Sequence, residues 1–108
     1  MSNFSDIVDY LGLSPTEAAT ELNVTETLIL RWRNTDEAPP LYIWQSLVRM
    51  VDDVRYAAEE AAKSADLDAL DAADLNKVTL QVPGPEGLSG PKRAATALAV
   101  ATLARVFV

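Results

Sequence analysis

A chain of 108 residues, 49% of them hydrophobic, has room for one compact domain, or for a small domain plus an oligomerisation segment, and excludes two large ones. With no cysteine and no histidine it lacks disulfide staples, thiolate metal sites, the usual zinc ligand and the usual general base near neutral pH. A formal charge of −7 argues against loose, charge-driven attachment to nucleic acid, which depends on basic surface releasing counterions, so any DNA binding must be local.

Phe4, Ile7, Val8 and Leu11 recur at the spacing of one helix face, behind a Ser2 or Ser5 cap and ahead of Gly12, which suits a helix C-terminus. No secretory pattern precedes this helix, and no apolar run reaches the roughly 18 residues of a membrane span, so a soluble, cytoplasmic protein without a membrane partner is expected.

The stretch from Ser14 to Asn34 predicts two short helices and a tight turn. Ser14 suits the N-cap, Pro15 the first helical position, and Glu17 completes a capping box. Ala18, Ala19 and Leu22 form the inward stripe, and Asn23 falls where the chain must leave the helix in a left-handed conformation. Val24 plugs the turn. Thr25 caps the second helix, whose Leu28, Ile29 and Trp32 share a core with Ala19, Leu22 and Val24.

Ala19, Asn23, Val24, Thr25, Ile29, Arg31, Trp32 and Asn34, as spaced here, resemble the helix-turn-helix of the Xre/Cro-type repressors of phages and bacteria. The continuation through Ala38, Pro39 and Pro40 to Trp44 and Leu47 is similar to small phage repressors, including those that accompany anti-CRISPR genes. The resemblance covers a third to a half of the chain. It implies that the second helix enters the major groove of double-stranded DNA. Wheel geometry turns Thr27, Leu30, Arg31 and Asn34 away from Ile29 and Trp32, with Glu26 and Arg33 on the flanks. Under the resemblance, Thr25 and Thr27 lie near the N-terminus of a recognition helix, Arg31 reaches a guanine edge or a phosphate, and Arg33 and Asn34 bind backbone. Leu30 can touch only a thymine methyl, and Glu26 repels phosphate although it can accept from cytosine. Nine acidic groups against four arginines leave residues 1–56 at −5, which weighs against DNA.

A polar loop, Thr35 to Pro39, leads to a helix opened by Pro40, with Trp44, Leu47, Val48, Val51, Val54, Ala58 and Ala61 at its apolar positions. If continuous to Lys63 it spans about 35 Å, more than a three-helix DNA-binding core can cover. The acidic segment 64–76 is a short amphipathic helix capped by Ser64 or Asp66, or a hinge; it lacks the ligand spacing, mid-loop glycine and closing glutamate of a calcium loop. Over 77–82, Val78, Leu80 and Val82 alternate with Lys77, Thr79 and Gln81, the period of a strand with one buried face. A lone strand leaves its ladder unpaired, so it is expected to pair with its copy in a second subunit unless another strand lies hidden in the loop or at the C-terminus.

The Pro- and Gly-rich loop 83–91 holds neither of the glycine patterns that cradle phosphates. The helix predicted over 92–107 is apolar on nearly every side and calls for cover from another chain. Its Leu98, Val100, Leu103 and Phe107 join Val78, Leu80 and Val82 as the expected dimer interface. Lys92 and Arg93, at its start, read as a solvated helix end. Trp32 and Trp44 lie on apolar stripes and read as core rather than as base-stacking platforms.

No pair of carboxylates is placed in an apolar pocket, so no acid/base machinery is identifiable, and neither enzymatic activity nor a cofactor is expected. The expected architecture is mainly α: a helix-turn-helix bundle in 1–56, then an oligomerisation region in 57–108 made of the rest of the long helix, the acidic segment, one short strand, the loop and a C-terminal helix. The expected function is that of a sequence-specific DNA-binding homodimer, a phage or bacterial transcriptional repressor. Two alternatives stay open. One is an acidic phage-encoded interaction protein, an inhibitor or antitoxin, that binds a protein through groups such as Glu26, Asp36 and Glu37. The other is a packaging component similar to small terminase subunits.

Overall fold

The computed structural model describes residues 2–66, 68–83 and 88–108. The described chain is mainly helical: α1 (Asn3–Tyr10), α2 (Pro15–Leu22), α3 (Glu26–Asn34), α4 (Leu41–Lys63) and α5 (Ser89–Ala104), with single 3-10 turns at Ala72–Asp74 and Arg105–Phe107. It divides into two compact units, Met1–Asp52 and Asp53–Val108, and the division falls within α4.

Short polar side chains set the helix boundaries of the first unit. The Ser5 N–H donates to Ser2 Oγ (3.1 Å), which makes Ser2 the cap of α1, while Ser5 is buried. Gly12 then turns the chain at φ 65°, a left-handed value open to glycine at no steric cost. At α2 the Glu17 N–H donates to Ser14 Oγ (3.1 Å) and the Ser14 N–H donates to Glu17 Oε1 (2.9 Å), so two orphan donors are satisfied reciprocally. Asn23 ends this helix at φ 56°, ψ 48°, and the Val24 N–H donates to the Ala19 carbonyl (3.0 Å). Two residues later the Leu28 N–H donates to Thr25 Oγ1 (3.3 Å), and α3 begins.

α3 packs against both α2 and α1. Phe4, Val8 and Leu11 from the first helix, Ala18, Ala19 and Leu22 from the second, Ile29 and Trp32 from the third, and Ile43 and Leu47 from α4 are all buried. Burying a side chain such as Ile29 contributes about 1.5–3 kcal/mol. Phe4 meets Trp32 and Trp44 edge-on, at 5.6 and 6.4 Å between ring centres. Trp44 is only partly buried.

In the second unit, α4 buries Val54, Ala57, Ala58 and Ala61, and α5 buries Ala95, Ala99 and Leu103 at four-residue intervals. Leu80, Val82 and Leu98 pack against a cluster of Ala58, Ala61 and Ala99.

Several expectations need correction. Val48, expected on the apolar stripe of α4, is 59% exposed, and Ile43 is buried instead. Adjacent positions lie about 100° apart on a helix, so once Leu47 faces the core Val48 is carried off it. Residues 77–82 do not form a strand: Lys77 belongs to a turn, and Val78 to Pro83 lie outside any ladder. Of the loop expected over 83–91, residues 84–87 lie outside the described residues, and α5 begins at Ser89 rather than at 92. Pro91 falls in the first turn, where an amide proton has no intrahelical partner to lose. The helix closes at Ala104, and Arg105 to Phe107 tighten into a 3-10 turn. Within 64–76 the regular structure is the 3-10 turn, where the Asp71 N–H donates to Asp74 Oδ2 (3.3 Å); Leu67 lies outside the described residues.

Candidate nucleic-acid interface

Ile29 and Trp32 anchor α3 in the core at 0% and 4% exposure, and this sets the rotation of the whole helix. Thr25, Glu26, Thr27, Leu30, Arg31 and Asn34 are exposed, and Arg33 is intermediate. The expected contact residues therefore share one outward surface, with Arg33 at its edge. Leu30 is 44% exposed, a large apolar side chain in the middle of a polar row.

Both arginines of this surface are held by carboxylates of the same unit. Arg31 forms an ion pair with Glu37, in the loop after α3, and Arg33 Nη2 donates to Asp9 Oδ1 of α1 at 3.0 Å. The loop is folded back for this purpose by Thr35, whose hydroxyl donates to the Arg31 carbonyl (2.5 Å) and accepts from the Glu37 N–H (3.2 Å). Sequence reading missed both pairings. The signal available was a carboxylate six positions after Arg31, just beyond a residue able to fold the chain back.

Ser2 was also missed as a fixing residue for α3. Its hydroxyl donates to the Trp32 carbonyl (2.8 Å) while accepting from the Ser5 N–H, so one side chain ties the end of α3 to the start of α1. Beside this tie runs an open groove of about 440 Å³, lined in part by Trp32, Asn34, Asp36, Glu37, Pro39 and Trp44.

The expected dimer residues lie in the second unit. Val78, Leu80, Val82, Leu98 and Val100 are partly buried, Leu103 is 3% exposed in its own chain, and Phe107 is exposed beside Val106 at the C-terminal turn. Lys92 and Arg93 are exposed in the first turns of α5. No described helix is long and apolar enough to cross a membrane. Comparison with family models, curated proteins and solved structures gives no match to this chain.

Proposed function

We propose that this chain is a sequence-specific DNA-binding protein, a dimeric transcriptional repressor of phage or bacterial type. In this proposal α2 and α3 act as a helix-turn-helix and α3 lies in the major groove of double-stranded DNA. The supporting observation is the rotation of α3: with Ile29 and Trp32 buried, the row Thr27, Leu30, Arg31 and Asn34 faces outward behind a helix start capped by Thr25. Arg31 has the donor fork for a guanine edge, Thr25 and Thr27 can meet phosphate near the helix N-terminus, and Leu30 suits a thymine methyl. Self-association through the second unit supplies the second half-site.

The test is a titration of the protein against upstream DNA from its own locus at several salt concentrations. Two or three phosphates neutralised per subunit give a log–log salt slope of about −4 to −5 for a dimer. Absence of sequence preference at low salt ends the repressor proposal.

A second function, binding a protein through this face, is favoured by the pairing of Arg31 with Glu37 and of Arg33 with Asp9, which leaves both cations of α3 already neutralised. The groove beside α3, bordered by Asp36 and Glu37, would suit a basic segment of such a partner. Reversing Glu26, Asp36 or Glu37 would then abolish capture, and DNA would show no specific binding.

A further inference from the structure

From Val78 to Val82 the side chains alternate between partly buried and exposed, the period of a strand, although no described residue forms a strand beside the segment. Its inner side chains are already seated, with Leu80 and Val82 against Ala58, Ala61 and Ala99. Its backbone is not: among the described residues no hydrogen bond involves Thr79, Leu80, Gln81 or Val82. Such a row of unmade bonds on a seated apolar segment is a template for another strand.

The sequence identifies the occupant. Val-Thr-Leu-Gln-Val has the same order of apolar and polar residues from either end, so an antiparallel copy centred on Leu80 sets Val78 against Val82, Thr79 against Gln81 and Leu80 against itself. None of the five residues is charged, so two chains of −7 each would meet on a neutral stretch. The Val78 N–H already donates to the Asp74 carbonyl (2.9 Å), so on the edge that residues 78, 80 and 82 would share in a strand one donor is spent within the chain. On the other edge neither Thr79 nor Gln81 has a backbone bond among the described residues. On that edge the ladder is bounded at both ends, because the Lys77 N–H is already bonded to Asp74 and Pro83 has no N–H.

We propose that residues 78–82 pair with the same residues of a second copy as a two-stranded antiparallel ribbon, with Thr79 and Gln81 of one protomer exchanging backbone hydrogen bonds with Gln81 and Thr79 of the other. This deepens the dimer of the preceding section and rests on it. The pairing closes after these bonds.

The absence of native cysteine allows a direct test. Full-length Thr79→Cys and Gln81→Cys chains are prepared separately, then oxidised with diamide alone and as an equimolar mixture. A hydrogen-bonded antiparallel pair holds its Cα atoms about 5.5 Å apart, within disulfide range. Identical positions lie two residues out of register and beyond about 7 Å, so the mixture should form 79-to-81 links at least about tenfold faster than either variant alone. Equal rates in all three samples, or faster linking of a variant to itself, overturn the ribbon. The wild-type mass in solution separates the two levels: a dimer without selective linking overturns the ribbon and leaves the dimer standing, whereas a monomer at micromolar concentration overturns both.

Discussion

Arg31 and Glu37 are joined by an ion pair across the end of α3, and both side chains remain open to solvent, at 54% and 37% exposure. A pair so exposed contributes at most about 1 kcal/mol, so under the proposed DNA-binding function a phosphate or a guanine edge can compete for the guanidinium. Glu37→Gln should therefore raise operator affinity, by up to about fivefold, whereas Arg31→Ala should cost about 1–3 kcal/mol of binding with folding unchanged. Both are read by titration against operator DNA. If α3 docks on a protein instead, Glu37→Gln weakens capture of that partner and neither variant changes any DNA preference.

Buried and exposed positions separate cleanly along α3. Ile29→Ala and Trp32→Ala should each cost about 2–5 kcal/mol of stability, because each deletes volume where the helices meet. Leu30→Ala, on the exposed row, should stay within about 0.5 kcal/mol of wild type in a urea melt. A Trp32→Ala protein that melts normally but loses binding would mean that the helix is rotated differently from this structure.

The Ser2 hydroxyl works in two directions at once, accepting from the Ser5 N–H and donating to the Trp32 carbonyl. Ser2→Ala should destabilise the first unit by about 1–2 kcal/mol, in the upper range for loss of an N-cap. Ser2→Asp keeps the cap acceptor but places a negative charge against the carbonyl end of α3, and should recover only part of the loss. Denaturant midpoints of the three proteins check the order; full recovery by aspartate would assign the whole effect to α1.

Asn23 at φ 56° occupies the position that lets α2 stop and α3 begin. Asn23→Ala should cost about 1 kcal/mol, because both residues carry a Cβ but the short polar side chain of asparagine eases the left-handed conformation and alanine's does not. Asn23→Gly should be close to neutral. Thermal melts of the pair distinguish this backbone effect from a contact of the asparagine side chain with another part of the fold, which would make both changes equally damaging.

The boundaries of α2 and α3 were legible in the sequence because they are local chemistry: Ser14 with Glu17, Asn23 and Thr25 each satisfy backbone groups within four residues of themselves. So was the outward row of α3, since Ile29 and Trp32 leave one rotation open. The phase of α4 was harder to read, because Ile43, Leu47, Val48 and Val51 are apolar on more than one face and burial selects among them. Pairings across the chain, such as Arg33 with Asp9, depend on where α1 lies and carry no mark in local spacing. At 77–82 the alternation was visible, but a ladder needs a partner that the alternation does not supply.

The two units are built from side chains of very different size. Phenylalanine, isoleucine, leucine and tryptophan fill the first, whereas the cluster in the second centres on Ala58, Ala61 and Ala99. Each alanine removes only about one methyl group from water, and each missing methylene forgoes roughly 0.8 kcal/mol. During synthesis the residues of the first unit leave the ribosome first with most of their stabilising contacts among themselves, so that unit can fold while the rest of the chain is still being made. Its successor has a thin margin of its own, and under the proposed dimer its resistance to proteolysis should rise with protein concentration as a second copy adds its surface to it.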